Sequence, residues 1–354
     1  MRILHIASIG LNAEGIGTVI SKIVPKQVWM GHDVRIVSTC DNLIYRDLKI
    51  TTVSSREEFS KYLDSWSPEI VQFHSVYRFL FIGYYKILLK RSIPYIIQMH
   101  GALSEENYQK NHLKKYIANK LFFYRYLKKA KAVLFLNNEE MNKCAVRDIV
   151  NNPTILPNGC DAIDNISISN TCQTPIDIIY VGRVFMVHKG LDVLCDALEI
   201  LYSKNVAHFN LTFYANPDDD DLAILKDRIS RLGANISYKG GIYGADKDKR
   251  LRKADIFILT SRFEGMPMGL LEALSYGIPA IVTLGTNMGD IINEANAGWL
   301  ADFTPIGVAN TIMSAIKDYT KSPKKYKENA YRLGKRFDWE EIARQSIDIY
   351  RKYL

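Results

Sequence analysis

Apolar positions along this chain fall into a repeating alternation. Short runs at residues 2–9, 33–39, 70–73, 95–99, 132–136 and 154–156 are brief and β-rich, and segments whose apolar residues recur at helical spacing, such as 17–30, separate most of them. Strand, helix, strand order predicts a parallel sheet with helices on both faces. Residues 161–175 then turn polar, rich in Asn, Ser and Thr, and read as an interdomain linker. Beyond them the alternation restarts, with strands predicted at 176–182, 210–214, 236–238, 255–259 and 278–283 and helices at 191–202, 222–232 and 270–276. The expected fold class is therefore α/β, with two Rossmann-like doubly wound domains. In open sheets of this kind ligands bind outside the carboxyl ends of the strands, so function is expected where the two halves face each other across a cleft.

Composition adds a bound and a question. At 354 residues with 47% hydrophobic and 24% charged side chains, the chain suits two globular domains and not a disordered, collagen-like or low-complexity class. Its net charge of +8 calls for an acidic partner: nucleic acid, anionic lipid or a phosphorylated substrate. Residues 1–165 hold 22 basic and 15 acidic side chains and the remainder 24 and 23, so the excess belongs to the first half. Much of it lies in residues 109–131, where Lys110, Lys114, Lys115, Lys120, Arg125, Lys128, Lys129 and Lys131 occur without an acid. Leu113, Ile117, Leu121 and Tyr124 recur there at helical spacing, which fits a helix lying on an anionic membrane. The same pattern fits an ordinary domain helix with its stripe in the core. No RRM, KH or helix-turn-helix signature accompanies the charge, which argues against nucleic acid.

Five cysteines without a C-x-x-C pair indicate neither a disulfide framework nor a zinc site, and fit a reducing compartment. The first residues lack the charged and apolar regions of a signal peptide, and the most lipid-like stretch, 79–89, is interrupted by Lys86. A cytoplasmic protein is expected, with peripheral attachment to the inner face of the cell membrane left open.

Candidate chemistry concentrates in Thr260-Ser261-Arg262-Phe263-Glu264-Gly265-Met266-Pro267-Met268-Gly269-Leu270-Leu271-Glu272, which follows a strand and opens a helix. Gly265 and Gly269 allow close backbone approach, and the unpaired N–H groups at a helix start form an anion site. Glu264 and Glu272 flank that loop, and carboxylates accept hydrogen bonds from hydroxyls. A diphosphate on the N–H groups with a sugar at either end would satisfy all of them. Alternatively the two glutamates are helix-start acids stabilised by the macrodipole. Upstream, the segment Gly182-Arg183 through Lys189-Gly190 closes the first strand of the same half, which puts Arg183 and Lys189 at the sheet edge, where two cations neutralise a diphosphate leaving group.

These motifs, with Ala273-Leu274 and Gly277-Ile278-Pro279, resemble the family 4 retaining glycosyltransferases, whose two domains form the GT-B fold. The resemblance extends over essentially the whole chain through Glu14-Gly15-Ile16-Gly17, His100-Gly101, Pro157-Asn158-Gly159-Cys160-Asp161 and Phe337-Asp338-Trp339. It implies an acceptor-side domain at 1–165, a donor-binding domain at 166–336, and a C-terminal helix, 337–354, that returns to the first. The implied donor is a nucleotide-diphosphate-sugar, a UDP-sugar favoured over a GDP-sugar. Glu272 would hold the ribose hydroxyls, Glu264 and the backbone of Gly265, Met266, Pro267, Met268 and Gly269 the donor sugar, and Arg183 with Lys189 the diphosphate. His100 would reach the sugar near the reacting carbon, with His74 as the competing candidate, and Gly15 and Gly17 would approach the phosphate or the acceptor. Transfer with retention, no metal and no further cofactor, and a saccharide acceptor that is often lipid-linked, as in polysaccharide, O-antigen or capsule assembly, follow from the same resemblance.

Two places depart from the pattern. Glycines common after the second donor-domain strand are replaced by Tyr214-Ala215-Asn216-Pro217, followed by Asp218, Asp219, Asp220 and Asp221. That acidic run reads as a solvated loop and helix start rather than a metal site, since neighbouring residues point in different directions. Cys160 stands where an aliphatic residue is usual and reads as buried. A nicotinamide dehydrogenase is disfavoured because residues 8–17 do not match G-x-G-x-x-G; a sugar-nucleotide epimerase is the nearest enzymatic rival.

Overall fold

The computed structural model describes residues 1–9, 15–40, 45, 48–101, 118–164, 166, 168–206, 208–216 and 219–354. The chain forms two compact units, one of Met1–Gly159 with Trp339–Leu354 and one of Cys160–Asp338. The expected boundary at 165 thus lies a few residues earlier, at Gly159.

The first unit contains β1 (Arg2–Ala7), α1 (Ile16–Trp29), β2 (Asp33–Ser38), β3 (Ile50–Thr52), α2 (Arg56–Ser65), β4 (Ile70–His74), α3 (Phe79–Lys90) and β5 (Tyr95–Gln98). A π-helical turn at Asn119–Phe123 leads into α4 (Tyr124–Lys129), followed by β6 (Val133–Phe135), α5 (Asn138–Asn142) and β7 (Pro153–Ile155). Its strands form one parallel sheet in the order β3-β2-β1-β4-β5-β6-β7. Every residue of β4 and β5 is buried, as expected of parallel strands covered on both faces. An aromatic cluster fixes the helices over one face: the ring of Phe73 meets Tyr95 and Tyr126 edge-on, at 5.7 and 5.4 Å between centroids.

The second unit contains β8 (Ile176–Val181), α6 (Leu191–Ser203), β9 (Phe209–Tyr214), α7 (Leu222–Ser230), β10 (Ile236–Tyr238), α8 (Gly244–Leu251), β11 (Ile256–Leu259) and α9 (Met268–Ser275). It continues with β12 (Ala280–Thr283), α10 (Gly289–Glu294), β13 (Gly298–Ala301), α11 (Pro305–Lys321) and α12 (Pro323–Lys335). The parallel strand order is β10-β9-β8-β11-β12-β13. The last helix, α13 (Trp339–Arg351), packs on α1 of the first unit, where Gln27 Nε2 donates to Ser346 Oγ at 2.9 Å.

Three expectations need correction. Residues 161–175 are not a free tether: Tyr331 Oη donates to Ile163 O at 2.9 Å, and Ile166 lies against Gly277. The basic segment 109–131 is described only from 118 onward, and Leu113 and Ile117 lie outside the described residues. Within it, the π-helical turn carries an extra residue per turn and slips the helical stripe. Phe123, Tyr126 and Leu127 are therefore buried, while Leu121 and Phe122 are exposed. The short strands β3 and β13 were not predicted; each occupies a sheet edge.

Candidate functional site

In the second unit the chain leaves β8 for β9 on one side and returns to β11 on the other, with Ile178 beside Ile256 and Ile179 beside Phe257. This reversal of strand order opens a crevice at the carboxyl ends of β8 and β11. Both glycine-containing segments singled out above start there: residues 182–190 follow β8, and residues 260–267 follow β11 and open α9.

The two segments are tied to each other. Thr260 Oγ1 donates to Gly190 O at 3.0 Å, Arg262 N donates to His188 O at 3.0 Å, and the His188 ring stacks on Phe263 with centroids 4.1 Å apart. Arg262 grips Asp192 with two hydrogen bonds of 2.7 and 2.6 Å, which holds the Asp192 carboxyl below its usual range. Gly190 has φ +61°, and a Cβ there would stand 2.0 Å from Thr260 O, so only glycine permits this approach. Gly269 plays the same part at the helix start, where a Cβ would meet Val181 O at 3.0 Å. Pro267 is the N-cap of α9, with extended backbone, and Met266 is buried beneath the turn. The first N–H groups of α9, beginning at Met268, therefore open beside the end of β8.

Charged side chains line this edge in pairs. Lys189 Nζ donates to Glu264 Oε1 at 2.5 Å, and Ser261 Oγ donates to the same oxygen at 2.8 Å. Both members are well covered, with 16% and 11% of their side chains exposed. Glu272, one turn into α9, accepts a hydrogen bond of 2.5 Å from Lys247 Nζ of α8. Arg183 is half exposed; its guanidinium lies over the Phe185 ring at 4.5 Å, with Nε 3.9 Å from Asp219. Lys189 and Glu264, expected to serve a phosphate and a sugar, are thus partners in one ion pair. Each holds the other.

The acidic run opens a helix as expected, with Asp221 the N-cap of α7, but two of its carboxylates turn toward the protein. Asp219 Oδ2 accepts from Val184 N and Asp221 Oδ2 from Met186 N, both at 2.6 Å, and Asp219 is nearly buried. These carboxylates shape the 182–190 segment from beneath instead of facing solvent; Asp218 and Pro217 lie outside the described residues. Glycines missing after β9 occur one strand over: Ala215 N donates to the carbonyl of Gly240, which follows β10 and has φ +79°. Lys247 carried no sequence signal, since it sits in a mixed-charge stretch of an exposed helix.

In the first unit Gly15 is the N-cap of α1, with φ +21°, and a Cβ on Gly17 would strike the Tyr45 ring at 2.6 Å. Residues 10–14, including Glu14, lie outside the described residues. His100 follows β5 in the left-handed region, φ +49°, next to Gly101 at φ +76°. Glu140, unnoticed in the sequence, holds this turn: its carboxylate accepts from Gly101 N and from Leu136 N, both at 2.5 Å. Burial pushes the Glu140 carboxyl up from its ordinary value, against the pull of those two N–H groups. His74 is wholly buried and its Nδ1 lies 3.0 Å from His100 Nε2, so His100 is the outer member of the pair.

Residues 163–333 match the family model described as glycosyl transferases group 1, a span inside the second unit. Mannosylfructose-phosphate synthase of Agrobacterium fabrum is 27% identical over 180 residues, covering 49% of this chain and 39% of the synthase. The match spans less than half the length of this and other curated relatives. Among solved structures, a lipopolysaccharide outer core galactosyltransferase in its apo form superposes with a TM-score of 0.75 at 20% identity, covering all of both chains. HepE of Anabaena, solved in complex with UDP, superposes with a TM-score of 0.75 at 17% identity over 99% of this chain and all of that one. The two α/β units have the fold of these proteins, and the family match lies in the unit that carries Glu264 and Glu272.

Proposed function

We propose that this protein is a retaining glycosyltransferase of the family 4 type, which moves a hexose from a nucleotide-diphosphate-sugar to a saccharide hydroxyl without a metal ion. One observation carries the reading: a helix N-terminus, two cations and two carboxylates share the strand-order reversal of the second unit. Each group suits one part of such a donor. The α9 N–H groups, Arg183 and Lys189 take the diphosphate, Glu264 takes sugar hydroxyls, and Glu272 takes the ribose. Without ligand, Lys189 with Glu264 and Lys247 with Glu272 satisfy one another; donor binding exchanges those pairs for phosphate and hydroxyl partners. HepE, solved with UDP and with UDP-glucose, favours a UDP-sugar for the similar fold here.

The test is a panel of nucleotide-sugars, first by thermal shift and then as radiolabelled donors with and without saccharide acceptors. At a hundred times its Kd the right donor stabilises the fold by about 2.7 kcal/mol. Label should reach the acceptor; conversion of the donor alone would mean an epimerase, and no change in any arm would refute the enzyme.

We further propose a lipid-linked acceptor, of the surface-polysaccharide kind, at the cytoplasmic face of a membrane. Supporting it, the exposed rings of Phe79 and Phe122 pack together 5.8 Å apart, beside exposed Leu121, Lys120 and Arg125. Cations around an apolar patch suit an anionic interface. Purified protein should sediment with vesicles containing anionic lipid and not with neutral ones; equal, negligible binding to both would remove the membrane from the picture.

A further inference from the structure

His100 heads a single file of three imidazoles that runs through the first unit. His100 Nε2 lies 3.0 Å from His74 Nδ1, His74 Nε2 lies 2.9 Å from His5 Nδ1, and His5 Nε2 lies 2.8 Å from Gln27 Oε1. The rings are stacked, with centroids 5.3 and 5.2 Å apart. His5 and His74 are fully buried and occupy adjacent strands, β1 and β4, at the strand-order reversal of this sheet.

Such a file can be protonated in either of two directions, and the far end selects one. Ser346 Oγ spends its only proton on Ala343 O, at 2.6 Å, so toward Gln27 it accepts; the Gln27 amide nitrogen must face Ser346. Tyr350 Oη likewise donates to Gln72 Oε1 and accepts from the same nitrogen. Gln27 therefore presents its oxygen to His5, and His5 carries its proton on Nε2. A neutral His5 then accepts at Nδ1, His74 donates from Nε2 and accepts at Nδ1, and His100 donates from Nε2. Gln72 Nε2 donates one of its two protons to Gln98 Oε1 at 2.7 Å and stands 3.4 Å from His74 Nε2, farther than His5 Nδ1 at 2.9 Å, which takes the His74 proton. The rings stay neutral: burial lowers His5 and His100 to about 4 and His74 well below its ordinary value.

We infer that Gln27, His5 and His74 are positioning residues that set one tautomer of His100, with the proton on Nε2 and a lone pair on Nδ1, so that the ligand atom His100 recognises is a hydroxyl proton and not a phosphate oxygen. A neutral Nδ1 repels an anionic oxygen and attracts an O–H. The tautomer stands on the hydrogen-bond geometry of neutral rings; the hydroxyl rests on the proposed sugar transfer.

Long-range proton–nitrogen correlation spectra of the full chain, labelled with nitrogen-15 at histidine, read both. At pH 7 His100, His74 and His5 should each show a protonated Nε2 and an unprotonated Nδ1, unchanged down to pH 5.5. A proton on Nδ1 of His100, or titration of His100 near 6.5, overturns the relay. Gln27→Met removes the acceptor that selects the direction, and His100 should then average both tautomers; a folded variant with unchanged His100 signals also overturns it. Addition of UDP-glucose should shift the Nδ1 signal and UDP alone should not. An equal response to both, or to neither, overturns the hydroxyl assignment while leaving the tautomer standing, and absence of glycosyl transfer with any donor refutes the enzyme without touching either spectrum.

Discussion

Turnover of the Lys189→Ala variant should fall by about 10² to 10³, the usual loss when one preorganised charge is removed from a developing anion. The structure places Lys189 Nζ 2.5 Å from Glu264 with little solvent around either group, so the ammonium is already desolvated at the sheet edge when the diphosphate replaces its partner. Charge on the leaving diphosphate grows as the sugar bond breaks. A cation beside it therefore gains more in the transition state than in the bound ground state, and donor affinity should suffer much less than kcat. Arg183→Ala should act in the same direction. Its guanidinium is half exposed and rests on the Phe185 ring, while Tyr180 Oη donates to the Arg183 carbonyl at 2.7 Å and fixes the backbone beneath it. Steady-state kinetics with a donor titration separate the two effects. Near-normal turnover in both variants would sink the assignment of these cations to the leaving group.

Acidification should destabilise the first unit steeply between pH 7 and 5. The folded state holds His5 and His100 at about 4 and His74 lower still, through burial, whereas the unfolded chain protonates histidine near 6.5. A depressed folded-state value means stability that is present above 6.5 and lost as pH falls, because the unfolded chain binds protons the fold refuses. Across three histidines the loss from pH 7 to 5 is roughly 5 kcal/mol, a large part of ordinary domain stability. Glu140 works the other way: its carboxyl is raised, so the fold takes up that proton first on acidification and returns at most one proton's share near pH 5. Denaturant unfolding followed at pH 7, 6 and 5 checks this. A midpoint that stays constant across that range would show the three rings already charged, or solvated, in the native state.

Much of the architecture was legible because parallel strands covered on both faces leave a strong apolar signal. β4, β5 and β11 are buried at every residue and were all anticipated. β3 and β13, three and four residues long, were missed, although β7 and β10, equally short and also at sheet edges, were anticipated. Of the stripe Leu113, Ile117, Leu121 and Tyr124 only the last two are described, and there a π-helical turn breaks the helical spacing, leaving Leu121 exposed and Phe123 buried. At the carboxyl edge of the second sheet Glu264, Glu272, Gly269, Arg183 and Lys189 could be picked out, since a glycine-containing turn between strand and helix is a local feature. Lys247, Asp219, Asp221 and Glu140 could not. Their side chains act on segments reached only by folding, as where Asp219 and Asp221 cap N–H groups 35 residues away.

The sequence by itself determined the two doubly wound halves, the uneven charge and the loops that begin at strand ends, because burial and turn chemistry are written in consecutive residues. Only the tertiary structure decided which cation meets which carboxylate, and that His5 backs His74 and His74 backs His100. The reason is physical: strand order brings together residues 69 and 26 positions apart, and the direction of their protons is set by Gln27 against a helix more than 300 residues further along the chain.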